Sequence, residues 1–301
     1  MGRDQTITVC HLISGDLWAG PEVQIHALLK SLQSVPDLNI SIIVLNEGKF
    51  AALLAEAGFR VKVIDENKNR FPGIVKQATA ELTGRRIDIL HSHRYKENFI
   101  ATLLKKRCDV RHLVQTVHGI GEPFTGLKKL KVKLYDVLND RATRQFDRVV
   151  AVSDDIRREL GNRYDISKVV TIHNAVDTSQ VMPKRSSAEV RSELGIRLDQ
   201  PVIGSVGRMV PIKGIDQFLA VAKMIAGKRP DAVLLLAGDG PQQSEYENMT
   251  RSMGLTNNVR FLGYRHDVAD VLNCLDLFVM TSYHEGIPLV LLEAMTLKRP
   301  V

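Results

Sequence analysis

Two glutamates near the end of the chain, Glu285 and Glu293, are spaced as if they lay on one side of a helix start. An apolar run at residues 275–280 precedes them and predicts a strand, and Pro288 opens an apolar helical segment. The amino end of such a helix directs backbone N–H groups at an anion. Neither glutamate has a basic residue four positions later, so neither forms a simple helical ion pair. An amphipathic helix with two solvated glutamates is the alternative.

A second candidate site follows the strand predicted at residues 202–206. Arg208 and Lys213 lie five residues apart at a strand-to-helix junction. A guanidinium, an ammonium and the free N–H groups of a helix start are the groups that proteins use to bind phosphate. Basic residues are also common in loops, so an ordinary basic loop is the alternative interpretation.

Histidines follow three of the strands predicted in the first half of the chain. His91 and His93 are two residues apart, His118 follows the next strand, and His173 follows the last. A metal site is one interpretation of the first two, which share a strand face. Neither an acid cluster nor a third histidine is evident near them, and structural histidines are therefore favoured.

The loop after the first strand contains Gly15 and Gly20. It matches neither the G-x-G-x-x-G dinucleotide motif nor a phosphate-binding P-loop, because no Lys-Ser/Thr pair follows Gly20. These features argue against a dinucleotide-dependent enzyme and against an NTPase of the P-loop type.

Strand and helix patterns alternate along the chain, which predicts doubly wound parallel sheets in an α/β fold. Ligands bind such sheets at the carboxyl ends of the strands, where the residues above lie. A polar segment at residues 180–200 divides the alternation into two domains, 1–180 and 181–301. The predicted strands are 7–13, 40–45, 61–64, 87–90, 113–117, 149–152, 169–172, 202–206, 232–236, 259–262 and 277–280. Helical patterns are predicted at residues 21–32, 50–57, 98–106, 126–146, 153–160, 214–225, 242–253 and 268–274.

Composition limits the class of protein. The 301 residues are 44% hydrophobic, which predicts sizeable cores, and no apolar run approaches membrane-spanning length. Three scattered cysteines fit neither a disulfide framework nor a metal site, so a reduced, cytoplasmic setting is expected. The net charge of +7 is concentrated in the first half, and the helical pattern at 126–146 is rich in lysine. That helix is interpreted either as an ordinary solvated face or as a surface that meets anionic lipid.

The motifs together resemble glycosyltransferase family 4. The segment from Glu285 to Glu293 is similar to its E-x7-E signature, and the segment 207–214 to its Gly-Arg…Lys-Gly element. The segments 116–119, 173–177, 236–241 and 261–265 match further family elements in the same order. The resemblance covers nearly the whole chain. It implies the GT-B fold, in which two Rossmann-like doubly wound domains face each other across a cleft.

The resemblance also implies roles for individual residues. Glu285 would contact the donor sugar, Glu293 would hold the ribose hydroxyls, and Arg208 with Lys213 would bind the nucleotide diphosphate. The remaining positions that the resemblance assigns to the donor site are His118 beside the sugar, the first loop with Gly15 and Gly20, Asn174 in the turn that ends the first domain, and Arg265 near the base.

The implied function is that of a retaining glycosyltransferase. It would move a sugar from a nucleotide-diphosphate-sugar to a hydroxyl of a saccharide or lipid-linked acceptor, in the assembly of cell-surface polysaccharide or glycolipid. No metal is expected, because Asp-x-Asp is missing from the sequence and Arg208 and Lys213 supply positive charge. No cofactor and no nucleic-acid partner are expected, and the location is the cytoplasm, with peripheral contact to an anionic membrane as an extension. A nucleotide-sugar epimerase of the same fold and a non-catalytic nucleotide-sugar-binding fragment stay open as alternatives.

The second half of the chain has fewer predicted strands than the first. After the helix of Glu293, residues 298–301 resemble the start of a further parallel strand. We therefore expect the second domain to be incomplete in this chain.

Overall fold

A computed structural model of the protein describes residues 6–16, 18, 20–119 and 137–301. Its internal contacts divide the chain into two compact units, residues 1–174 and 175–301. The division falls in the irregular segment that follows the last strand of the first unit, a few residues before the predicted boundary at residue 180.

The first unit contains a parallel sheet of seven strands in the order β3-β2-β1-β4-β5-β6-β7. The predicted strands all occur, and most are shifted at an end by one to three residues. The strands are β1 (Ile7–Ile13), β2 (Leu38–Val44), β3 (Arg60–Val63), β4 (Ile87–Ser92), β5 (Val110–Val117), β6 (Arg148–Ala151) and β7 (Val169–Thr171).

Helices follow these strands, as the alternation predicts. They are α1 (Gly20–Leu32), α2 (Lys49–Glu56), α3 (Phe71–Leu82), α4 (Tyr95–Lys105), α5 (137–143) and α6 (Asp154–Gly161), with a 3₁₀ turn at Ile166–Lys168. Apolar side chains of the strands and helices form two buried clusters. The first part of the lysine-rich segment 126–146 lies outside the described residues.

The order of this sheet reverses beside β1. The chain first builds outward from β1 through β2 to β3, and then returns to place β4 on the other side of β1. The carboxyl ends of β1 and β4 therefore flank a topological switch point, where open α/β sheets bind their ligands.

The second unit contains a parallel sheet of four strands in the order β10-β9-β8-β11. Its strands are β8 (Val202–Val206), β9 (Val233–Ala237), β10 (Val259–Gly263) and β11 (Leu277–Phe278). Its helices are α7 (Ser187–Glu193), α8 (Ile215–Lys228), α9 (Gln243–Ser252), α10 (Val268–Asn273) and α11 (Leu289–Thr296), with a 3₁₀ turn at Pro211–Lys213. The switch point of this sheet lies between β8 and β11.

β11 is shorter than the four residues predicted for it, although its pairing continues. The backbone N–H of Val279 still donates to the carbonyl of Gly204 at 2.8 Å, just beyond the last strand residue. On the other edge of β11, Phe278 N–H donates to the carbonyl of Pro300 at 2.9 Å. The backbone at residue 300 therefore lies beside β11, where a further strand is predicted to start.

Candidate functional site

The loop that follows β8 is held tightly against the loop that follows β9. Gly207 N–H donates to the Ala237 carbonyl at 2.9 Å, and Met209 N–H donates to the Asp239 carbonyl at 2.7 Å. A Cβ on Gly238 would lie 2.0 Å from the carbonyl oxygen of Gly207, so only glycine permits this approach. The position of Arg208 is therefore set by backbone contacts on both sides of it.

Gly214 joins the same loop to the loop after β11. It has a left-handed backbone with φ of 59°, and a Cβ there would lie 2.1 Å from the Thr281 carbonyl oxygen. The hydroxyl of Thr281 donates to the Lys213 carbonyl at 3.2 Å. Helix α8 begins at the next residue, Ile215, so the free N–H groups of its first turn lie near the switch point between β8 and β11.

Arg208 and Lys213, the two residues predicted to bind phosphate, differ in their side-chain contacts. The side chain of Arg208 is exposed and makes no hydrogen bond or ion pair with any residue that the structure describes. The ammonium of Lys213 forms an ion pair with the carboxylate of Glu285, and both side chains are about three-quarters buried. The structure thus brings together Lys213 and Glu285, which come from the loops after β8 and β11.

Glu293 lies on α11, beyond the first turn of that helix. Its carboxyl is half-buried, burial raises its pKa, and no described residue hydrogen-bonds to it. Pro288 caps α11 and the first helical residue is Leu289, so the prediction that proline lies within the first turn was wrong by one residue. A small pocket opens between these elements, lined by Ser205, Gly207, Lys213, Ser282 and Val290 among others.

Arg265 lies in a network of opposite charges. Its guanidinium donates to both carboxylate oxygens of Asp267, at 2.8 and 2.6 Å, and to Glu193 at 3.0 Å. Arg185 pairs with the same two acidic residues and with Asp270. This arrangement ties α7 to the start of α10, so a contact between Arg265 and a donor base stays a prediction.

The predicted residues of the first unit lie at or near strand ends. Gly15 has φ of 67°, and a Cβ there would lie 2.6 Å from Cγ1 of Val44, so its glycine is required by packing. Gly20 is the first residue of α1 and has no atom near its hypothetical Cβ. Asn174 is half-buried at the end of the unit.

A chain of imidazoles occupies the switch point of the first sheet. His11 Nδ1 lies 3.3 Å from His93 Nε2, and His93 Nδ1 lies 3.2 Å from His118 Nε2. His91 is the register partner of His11 across β1 and β4 and hydrogen-bonds to Thr116 at 2.8 Å. His11 did not stand out in the sequence, because it lies in the middle of an apolar strand; only the strand register reveals it.

Burial is the main cause that lowers the pKa of all four histidines, to about 4 for His11 and His118. The pKa values of His91 and His93 lie well below 6.5 for the same reason. The positive charge of Arg94 adds to the effect on His93 and His118. The imidazoles are therefore neutral at pH 7.

Comparisons with known proteins decide the family. The model of the family described as Glycosyltransferase Family 4 matches residues 18–180, and the model of Glycosyl transferases group 1 matches residues 186–301. The first match alone covers more than half of the chain.

The chain belongs to glycosyltransferase family 4. Among its curated relatives, the UDP-Gal:alpha-D-GlcNAc-diphosphoundecaprenol alpha-1,3-galactosyltransferase of Escherichia coli is 30% identical over 73% of this chain and 58% of its own length. The N-acetyl-alpha-D-glucosaminyl L-malate synthase of Bacillus anthracis is 30% identical over 69% of this chain and 54% of its own length. The chain thus spans little more than half the length of these family 4 relatives.

Solved structures share the fold. The crystal structure of Anabaena HepE with UDP-glucose covers 98% of this chain with a TM-score of 0.83 at 21% identity, and the match spans 79% of that chain. Sucrose-phosphate synthase from Thermosynechococcus elongatus also covers 98% of this chain, with 80% of its own covered and a TM-score of 0.76 at 18% identity. These matches confirm the predicted GT-B fold with two Rossmann-like units. In the described part of this family 4 chain, no helix is long and apolar enough to cross a membrane.

Proposed function

We propose that this protein transfers a sugar, with retention at the anomeric carbon, from a nucleotide-diphosphate-sugar to an acceptor hydroxyl. One observation carries the proposal. The guanidinium of Arg208 is exposed and makes no hydrogen bond or ion pair with a described residue, and it lies in the same loop before α8 as Lys213, whose ammonium pairs with Glu285. A cation with no partner among the described residues, next to free helix N–H groups, suits a diphosphate.

The ion pair of Lys213 and Glu285 gives the site a way to respond to its ligand. A diphosphate placed at Arg208 would compete with the carboxylate for the Lys213 ammonium, because its charge is larger and spread over several oxygens. Glu285 would then be released to accept hydrogen bonds from the donor sugar. The two cations would stabilise the charge that develops on the leaving diphosphate, and the mechanism we propose needs no metal for this step.

Glu293 fits the ribose of the donor. A half-buried carboxylate without a described partner can accept two hydroxyl hydrogen bonds. In the same proposal, His118 orients the sugar, the loop with Gly15 and Gly20 faces the diphosphate, and Asn174 and Arg265 complete the donor contacts. Retention would follow from departure and attack on one face of the sugar, with the leaving phosphate taking the acceptor proton.

The acceptor in this proposal is a saccharide or a lipid-linked saccharide. The name of the E. coli relative describes a sugar on a diphosphoundecaprenol, which is an anionic lipid carrier. A cytoplasmic protein with a basic first half would meet such a carrier at an anionic membrane surface. Co-sedimentation should then need anionic vesicles and weaken with salt, and binding to neutral vesicles that ignores salt would contradict this contact.

The test of the proposed reaction measures release of nucleoside diphosphate. The protein is incubated with a panel of nucleotide-sugars, with and without an undecaprenyl-diphosphate saccharide. Release that depends on the acceptor, with a product of the same anomeric configuration as the donor, supports retaining transfer. Conversion of the donor sugar without acceptor would indicate an epimerase, and binding without any turnover would indicate a non-catalytic module; either result contradicts the proposal.

A further inference from the structure

The chain of imidazoles at the switch point of the first sheet extends beyond the one histidine that the proposed function uses. His11, His93 and His118 come from β1, from the end of β4 and from the end of β5. Their ring nitrogens are joined in sequence by contacts of 3.3 and 3.2 Å. The rings of His93 and His118 stack with centroids 5.5 Å apart, which fixes the orientation of the outer ring.

Each neutral imidazole carries one N–H and one lone pair. In a chain of three neutral rings the two contacts must therefore run in the same direction. Either every ring donates outward, from His11 to His93 to His118, or every ring donates inward. Both ring nitrogens of His93 take part in these contacts, so the tautomer of His93 decides which ring nitrogen of His118 carries the proton.

His11, at the inner end of the row of imidazoles, decides the direction in which the rings donate their hydrogen bonds. Nε2 of His11 is buried and has no hydrogen-bond partner among the described residues, and the residue is 1% exposed. Inward donation would place an N–H at this atom, whereas outward donation leaves only a lone pair there. Buried N–H groups without a partner are rarer in proteins than acceptors with an unused lone pair. Outward donation is therefore favoured.

We propose that His11 and His93 are positioning residues that hold His118 as its Nδ1–H tautomer. Protons lie on Nδ1 of all three rings, and Nε2 of His118 accepts from His93. Nδ1 of His118 makes no hydrogen bond with a described residue, so its N–H is available to an oxygen of the donor sugar. Neutral His118 then has no free lone pair, and it acts as a hydrogen-bond donor and not as a general base. This last step rests on the proposed function.

A metal ion is the competing explanation of the cluster. His11, His91 and His93 each offer a nitrogen, and these atoms lie within 4.8 Å of one another. Tetrahedral zinc with Zn–N bonds of about 2.0–2.1 Å places its ligand atoms about 3.3 Å apart. The group contains no carboxylate to offset a divalent charge. A zinc ion would need the ligand atoms of these three histidines to move closer together, whereas hydrogen bonds between neutral imidazoles account for the observed distances as they are.

The test reads the tautomers directly. Protein labelled with ¹⁵N-histidine is examined by long-range ¹H–¹⁵N correlation at about pH 7.5, and signals are assigned with single variants. We expect the Nδ1–H form for His11, His93 and His118. The Nε2–H form at His118, or zinc binding in a one-to-one ratio that removes the tautomeric signals, would overturn the proposal. This readout does not need activity, so it stands even if the protein transfers no sugar.

Two variants of His93 test the link to catalysis. In His93→Asn the amide N–H₂ replaces the Nδ1–H donor, and we expect the tautomer of His118 and most of kcat to be kept. In His93→Leu the donor is lost; His118 should become a mixture of tautomers, and kcat should fall on the order of tenfold. His112→Asn, an exposed histidine on β5, is the control for labelling and folding. Equal kcat in the Asn and Leu variants, with both folded, would overturn the role of His93.

Discussion

Glu97 offers a test of the electrostatics of the first unit that is independent of any ligand. It lies in the first turn of α4, is 1% exposed, and neither carboxyl oxygen has a hydrogen-bond partner among the described residues. Removal from water raises its pKa from 4.5 to about 7. In the unfolded chain the same group ionises near 4.5, so the folded state holds a proton over a wider pH range.

The sign of the effect follows from this difference. Between pH 4.5 and 7 the folded state holds more protons on Glu97 than the unfolded state does, so the contribution of Glu97 to the stability of the protein falls as the pH rises. The shift of about 2.5 pK units corresponds to about 3 kcal/mol at pH 8. Glu97→Gln removes the ionisation while keeping the size of the side chain. Its stability relative to the parent protein should therefore increase by about 3 kcal/mol from pH 4.5 to pH 8.

The assay is urea unfolding at several pH values, followed by the fluorescence of Trp18. This residue is the single tryptophan of the chain and lies in the same unit as Glu97. Glu56→Gln, at an exposed glutamate of α2, is the matched control for the loss of one carboxylate by the same substitution. A difference between Glu97→Gln and the parent that does not change with pH would refute the reasoning.

Substitutions at Glu293, Glu285, Gly214 and His11 should each have a distinct effect. Glu293→Gln should weaken the binding of nucleoside diphosphate and nucleotide-sugar alike. Glu285→Gln should instead lower turnover and sugar binding more than nucleotide binding. Calorimetry and steady-state kinetics distinguish the two effects, and the reverse pattern would exchange the roles of the two glutamates. Gly214→Ala, at the N-cap of α8, should lower the melting temperature because the added Cβ would overlap a backbone oxygen. Gly227→Ala, inside α8, should raise the melting temperature slightly because alanine favours a helix and its Cβ would meet no atom. Equal shifts in the two variants would contradict the argument. Below pH 6.5 the unfolded chain takes up a proton at His11 before the folded state does, so the contribution of His11 to stability should fall toward pH 4 by about 1.4 kcal/mol per pH unit. In urea unfolding, the stability of His11→Asn relative to the parent protein should therefore rise by that amount per pH unit as the pH is lowered, and a difference that does not change with pH would contradict the argument.

Much of the fold was predictable because the signals were local. The strand Ile7–Ile13 agrees with its prediction at both ends, since an apolar run is bounded by polar residues and by a glycine turn. The start of α6 was also predicted, and Ser153 accepts from Ile156 N–H as an N-cap should. The helix Phe71–Leu82 is missing from the predicted elements, because Pro72 and Gly73 in its first turn are typical of loops.

The candidate site was less predictable because it depends on strand register and on pairing across loops. The sequence placed Lys213 and Glu285 in one donor site, yet their ion pair needs the loops after β8 and β11 to meet. Likewise, His91 and His93 looked like an isolated pair. Register across β1 and β4 supplies His11, and β5 supplies His118. Spacing along one strand cannot reveal partners that come from neighbouring strands.

The central claim is that Arg208 and the loop around it bind the diphosphate of a nucleotide-sugar. The most direct measurement is calorimetric binding of nucleoside diphosphate to the parent protein, to Arg208→Ala and to Arg229→Ala. Arg229 lies just past the far end of α8 and pairs with Asp231, so it serves as the matched control. Loss of one charge-assisted contact, about 1.5–3 kcal/mol, predicts binding that is roughly ten- to one-hundredfold weaker in Arg208→Ala and unchanged in Arg229→Ala. Equal affinity in all three proteins would contradict the account.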